Sequence, residues 1–199
     1  MKDMERRFSF DFYLLLFFLV SFSGWIWEVC IYLVKEKQFV NRGILTGPWL
    51  PIYGAVALFL YFLLDRWKKK PVLVFLASMI VCSVLEYCAG YFLEKTWGVK
   101  WWDYSGMPLN LHGHICLLSS LMFGAGGVLL VSFLIPIYAK LYQKLPKRVR
   151  IAVGLILLIL FVVDAAYSAD FPNVGSGITY RAAAGGNSIR PLTYAENKI

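Results

Sequence analysis

Charge is scarce in this chain of 199 residues. Only 16 % of them are Asp, Glu, Lys or Arg, against roughly 25 % in a soluble globular domain, and that shortage excludes an ordinary cytosolic enzyme. A G-x-x-x-x-G-K-[ST] phosphate loop is also missing, so the sequence has no ATP-binding motif of its own. The four cysteines, Cys30, Cys82, Cys88 and Cys116, form no C-x-x-C pair, which argues against a disulfide scaffold or a zinc site. Only two histidines, His112 and His114, are present. With Asp103 they form a weak metal or acid–base motif, but Arg and Lys lie nearby and no thiol lies on their side of the membrane. No metal and no cofactor are expected. No small-residue cleavage site follows the first apolar run before Lys35, so an uncleaved first span is expected.

Apolar residues are what the chain has in excess. Hydrophobic residues make up 59 % and aromatic residues 17 %, with a mean hydropathy of +0.63. They fall in long blocks separated by short basic clusters, which is the pattern of an all-α, polytopic membrane bundle. Five transmembrane helices are expected, over about residues 8–34, 49–64, 72–93, 115–138 and 151–169, in one integral membrane domain (residues 1–170) followed by an extracytoplasmic tail (171–199). Twelve of the 20 Lys and Arg residues fall at the N-terminus and in the second and fourth connections. By the positive-inside rule the N-terminus is then cytoplasmic and the C-terminus outside. The same rule accounts for the formal net charge of +8 through anionic lipid, and no nucleic-acid partner is expected.

The second block is irregular, because Gly43, Gly47, Pro48, Pro51 and Gly54 crowd its first half. Residues 43–50 either descend into the outer leaflet as non-helical backbone, which needs protein or a wet cavity around it, or form a surface loop. A duplication is also visible. Glu28-x-Cys30 followed by Glu36-Lys37 matches Glu86-x-Cys88 followed by Glu94-Lys95, and Asn41 and Gly43 match Asn110 and Gly113. Two parallel hairpins plus a fifth helix would fit that pattern.

Three carboxylates sit inside apolar blocks: Glu28, Glu86 and Asp164. Counted to the expected outer helix ends, each lies roughly 9 to 12 Å deep at helical rise, so the three form one layer in the outer half of the membrane. An ionisable residue inside a span is a functional hypothesis by default; the alternative is an interhelical bond that fixes packing. Arg42 is the candidate counter-ion, either for that layer or for an anionic ligand. Trp102, Asp103, Asn41 and Asn110 complete the candidate substrate- or ion-binding set, with Trp101, Trp102 and Tyr104 also fitting an interfacial aromatic belt.

The motifs Gly24-Trp25-x-Trp27-Glu28, Phe39-Val40-Asn41-Arg42-Gly43-x-Leu45-x-Gly47-Pro48-x-x-Pro51-Ile52-Tyr53-Gly54, Leu85-Glu86 and Trp102-Asp103-Tyr104-Ser105-x-x-Pro108-x-Asn110, with Gly113-x-Ile115-Cys116-Leu117, carry a resemblance. Over most of residues 10 to 168 the chain resembles the bacterial ABC-transporter type IV permease family. The resemblance implies a five-span integral protein of the cell membrane and assigns no substrate and no catalytic residue. Where the pattern has a basic residue before Ile115, this chain has His114. The expected function is a non-enzymatic permease or permease subunit for a small solute or ion. Its expected partners are the lipid bilayer, a second copy in a homodimer, and a separate ATPase subunit if transport is ATP-driven. The alternatives are a membrane-embedded enzyme of lipid or envelope metabolism, and an accessory or sensory subunit with no pathway of its own.

Overall fold

The computed structural model describes residues 8–37, 39–100, 102–171, 173, 180–182 and 189–191. Trp101, the basic N-terminal residues and most of the tail lie outside them. The architecture is all-α. Its helices are α1 (Phe10–Glu36), α2 (Pro51–Leu64), α3 (Pro71–Trp97), α4 (Leu117–Val128), α5 (Ile135–Lys144) and α6 (Lys147–Asp170). A π-helical stretch, Leu129–Leu134, connects α4 and α5, so that helical residues run unbroken from Leu117 to Lys144. Pro136 explains that stretch, because it has no N–H to donate one turn back and its ring crowds the preceding carbonyls, which a wider turn relieves.

Among the described residues four helices are long and apolar enough to cross a membrane: Phe10–Val34, Pro71–Thr96, Leu117–Lys144 and Lys147–Asp170. The second apolar block supplies no fifth helix of that length. Its glycines and prolines delay the helix until Pro51, whose fixed φ suits a first helical position. The 14 residues of α2 then reach only about 21 Å, against roughly 30 Å of hydrocarbon. The other helices extend beyond the apolar blocks read from the sequence. The fourth continues to Lys144 because Tyr142 stays buried after the apolar run has ended. The last begins at Lys147, because a first turn of Lys and Arg is compatible with helix geometry though not with apolarity.

The chain forms two compact units, Met1–Leu63 with Leu134–Pro172, and Leu64–Phe133 with Asn173–Ile199. In the first, α1 packs on α6 around Phe18, Leu45 and Trp49. The Phe18 ring meets Trp49 and Phe161 edge-on, with centroids 6.0 and 5.7 Å away. At the start of α1 the fully buried Phe12 is ringed by Tyr61, Tyr138 and Tyr142.

In the second unit α3 and α4 pack through small residues. Gly124 lies under the Phe75 ring and Gly127 against Ser78. The Ser83 hydroxyl donates to Ser120 at 2.8 Å. Without a Cβ at these two glycines the backbones approach closely, the usual basis of helix association in lipid. Gly98, at φ 64°, ends α3 in the left-handed conformation. A three-stranded antiparallel ladder follows, in which Val99–Lys100 pairs with Tyr180–Ala182 and the latter with Ile189–Pro191. Apolar periodicity gave no sign of it. Part of the tail is thus paired into the second unit.

Candidate functional site

Glu28, Arg42 and Asn41 come together in the first unit. Tyr53, two residues into α2, donates its hydroxyl to Glu28 Oε1 at 2.7 Å. Arg42 Nε lies 3.5 Å from Glu28 Oε2, and the Arg42 guanidinium stacks over the Tyr32 ring at 4.1 Å. Arg42 is 6 % exposed, whereas the Glu28 side chain keeps 24 % of its surface. A guanidinium that cannot shed its proton is therefore the more deeply buried member of the pair. Asn41 braces the same corner, since its Oδ1 accepts the Trp25 indole N–H at 2.7 Å and its amide donates to the Thr46 carbonyl at 2.9 Å.

Asp164 lies in the same unit and binds different groups. It accepts the Gly47 N–H at 3.0 Å and the Trp49 indole N–H at 2.8 Å. The Thr46 N–H goes to Ser168 Oγ at 3.1 Å, and the Leu50 N–H to the Ser21 carbonyl at 3.1 Å. Residues 43–50 therefore run beside the middle of α1 and the last two turns of α6, inside the membrane-length stretches of both helices. The N–H groups of Thr46, Gly47, Trp49 and Leu50 and the Thr46 carbonyl are bonded within the protein, as irregular backbone at membrane depth requires. Gly47 is required there, because a Cβ would run into the Trp49 indole and sit 2.8 Å from Asp164 Oδ2.

In the second unit, Glu86 accepts the Tyr104 hydroxyl at 3.3 Å. The other predicted residues of that unit fold the loop between α3 and α4. The Trp102 indole N–H donates to the His114 carbonyl at 2.8 Å. Asp103 accepts the Ser105 N–H and hydroxyl at 2.9 and 2.6 Å, an Asx-type turn. Asn110 donates to the Ser105 and Met107 carbonyls at 3.1 and 2.9 Å and accepts the Gly113 N–H at 3.3 Å.

A second ionic cluster lies beside them. His114 Nε2 is 3.2 Å from Glu94 Oε2. The buried Lys100 donates to the His112 carbonyl at 3.0 Å, with its Nζ 4.0 Å from Glu94 Oε1. Burial pushes the His114 pKa below the usual histidine range and the Lys100 cation adds to that, while Glu94 opposes them. The lowering favours the neutral imidazole, whose Nε2 faces Glu94. Glu94 was legible in the sequence only as the repeat partner of Glu36. Tyr53 was visible only as a motif residue and Trp49 not at all, since their partners lie far away along the chain.

These features define a helical integral membrane protein with an irregular segment packed between its spans and carboxylates held within them. Over residues 15–169 the chain matches the family described as Putative ABC-transporter type IV, and it belongs to that family. No curated protein and no solved structure matches it.

Proposed function

We propose that the chain is a permease or permease subunit that moves a small solute or ion, with Glu28 and Glu86 as the binding or coupling groups in the outer half of the membrane. One observation carries this reading. In each unit an acid near the outer end of a membrane-length helix accepts a tyrosine hydroxyl, Glu28 from Tyr53 and Glu86 from Tyr104, while Asp11, which accepts the Tyr142 hydroxyl, sits at the opposite end of α1. The Glu28 side chain keeps 24 % of its surface, which a packing acid does not need, and an ionisable residue inside a span is a functional site by default. Asp164 leaves the site in this reading, because its oxygens hold Gly47 and Trp49. An ATP-driven version needs a separate ATPase, since the chain has no phosphate loop.

The test is ion flux in proteoliposomes under an imposed gradient of protons, sodium or phosphate, normalised to folded protein. Flux well above empty vesicles that falls at least about tenfold in Glu86→Gln supports the reading, since the amide keeps the size and loses the titratable charge. Flux unchanged in both Glu28→Gln and Glu86→Gln overturns it. So does no flux with any of these ions, and the accessory-subunit reading, which the structural use of Asp164 favours, then takes its place. The orientation read from charge predicts that a cysteine at Gly106 is labelled from outside intact cells and one at Lys69 is not.

A further inference from the structure

A cavity of about 470 Å3 lies in the first unit between α1, α5 and α6, with Pro48 and Trp49 at one end. Its walls are apolar. The lining runs from Leu15 to Phe22 on α1 and from Val149 to Leu157 on α6, about 10 to 12 Å along each axis. That is most of the depth of one leaflet's hydrocarbon, about 15 Å. Among the described residues the one charged side chain in the lining is Arg150, at the end where α6 begins. Exposed Lys147 and Arg148 share that turn, and Lys140 and Lys144 precede it on α5. Asp11 Oδ2 stands 3.7 Å from Arg150 Nε. The guanidinium lies over the Tyr142 ring at 4.1 Å, and its buried Nε has no hydrogen-bond partner among the described residues.

We infer that this cavity binds an anionic phospholipid of the cytoplasmic leaflet, with one acyl chain in the apolar groove and the phosphate at Arg150. Charge complementarity selects the occupant. An apolar helix of a partner would leave the guanidinium facing hydrocarbon, and a zwitterionic lipid would bring its own ammonium into a turn of Lys and Arg. An anionic headgroup supplies acceptors for a donor-rich, under-bonded guanidinium. By the positive-inside rule this end of the groove meets the leaflet where such headgroups concentrate. The inference does not depend on transport.

The experiment uses the full chain in neutral detergent, with phosphatidylglycerol or phosphatidylcholine of the same oleoyl chains added and unfolding followed by tryptophan fluorescence. Phosphatidylglycerol should raise the midpoint by about 3–5 °C more than phosphatidylcholine. Val153→Trp, which fills the groove at a 42 % exposed position, should abolish the difference. Ile156→Trp, at a position 58 % exposed and outside the lining, should keep it. Arg150→Gln should also lose the difference. If that variant does not fold, ionic strength reports on the headgroup, and the preference should shrink between about 50 and 500 mM NaCl. Equal shifts with the two lipids, a preference that survives Val153→Trp, or one indifferent to salt would each overturn the proposal.

Discussion

Trp49 donates its indole N–H to Asp164 at 2.8 Å across 115 residues of sequence. This bond, with the Gly47 N–H on the same carboxylate, gives an apparent coupling acid a mechanical task. It anchors a non-helical segment that lies beside two helices of membrane length. The carboxylate suits the task because it offers acceptors only, and the segment presents donors.

Removing that anchor should be costly. Asp164→Ala leaves the Gly47 and Trp49 donors without their acceptor, and a loss on the order of 2–4 kcal/mol is expected. Asp164→Asn should recover part of it, because the amide keeps one acceptor and turns a donor toward the other N–H. Denaturant unfolding in detergent measures the order, Ala worse than Asn; equal stability of Ala and wild type would refute the anchor.

The Glu28–Arg42 pair predicts an asymmetry. Glu28→Gln keeps an acceptor for Tyr53 but removes the anion beside a 6 % exposed guanidinium. Arg42→Gln leaves a carboxylate that keeps 24 % of its surface and the Tyr53 hydroxyl. The first change is expected to cost on the order of 2–3 kcal/mol and the second about 1 kcal/mol. Thermal unfolding of both variants at neutral pH checks this, and the reverse order would contradict the burial argument.

His114 predicts a pH dependence with a fixed sign. Its pKa in the folded protein is lowered, so below the unfolded value of about 6.5 the unfolded chain takes up a proton that the folded one resists. Stability should therefore be highest above about pH 7 and fall as pH drops through 6.5 toward the lower folded pKa. His114→Gln should flatten the profile between about pH 7.5 and 5.5 while keeping a donor for Glu94. Stability that rises on acidification in that window would contradict the neutral assignment.

Two neighbouring glycines should respond oppositely to alanine. At Gly127 a Cβ would fall inside contact distance of Ser78, while at Gly126 nothing lies within 4 Å. Gly127→Ala is expected to destabilise by about 1–3 kcal/mol through helix separation. Gly126→Ala should stabilise by up to about 1 kcal/mol through helix propensity. Unfolding midpoints of the two single variants decide it.

Much of the helical framework was legible because membrane-length apolar runs and their flanking charges obey short-range rules. The late start of α2 at Pro51 follows from Gly47, Pro48 and Pro51 alone. The roles of the acids were not legible. Depth in a helix marked Glu28, Glu86 and Asp164 as equivalent, yet Asp164 serves a segment more than 100 residues away, and no local pattern encodes that pairing. Trp102, Asp103 and Asn110 were read as site residues from their chemistry. Their partners, the His114 carbonyl, Ser105 and the Gly113 N–H, are set by a loop conformation that includes positive φ at Leu109 and His112, which residue type does not announce. The ladder of Val99–Lys100 escaped because two residues carry no period.

The bond from Gly47 to Asp164 also bears on biosynthesis. The donors at residues 46–49 emerge from the ribosome early, while Asp164 and Ser168 belong to the last helix made. Until α6 is made, the Gly47 and Trp49 donors have no carboxylate and the segment is held by its bonds to α1 and Asn41 alone. A chain cut short before Lys147 would therefore leave those two donors without their acceptor.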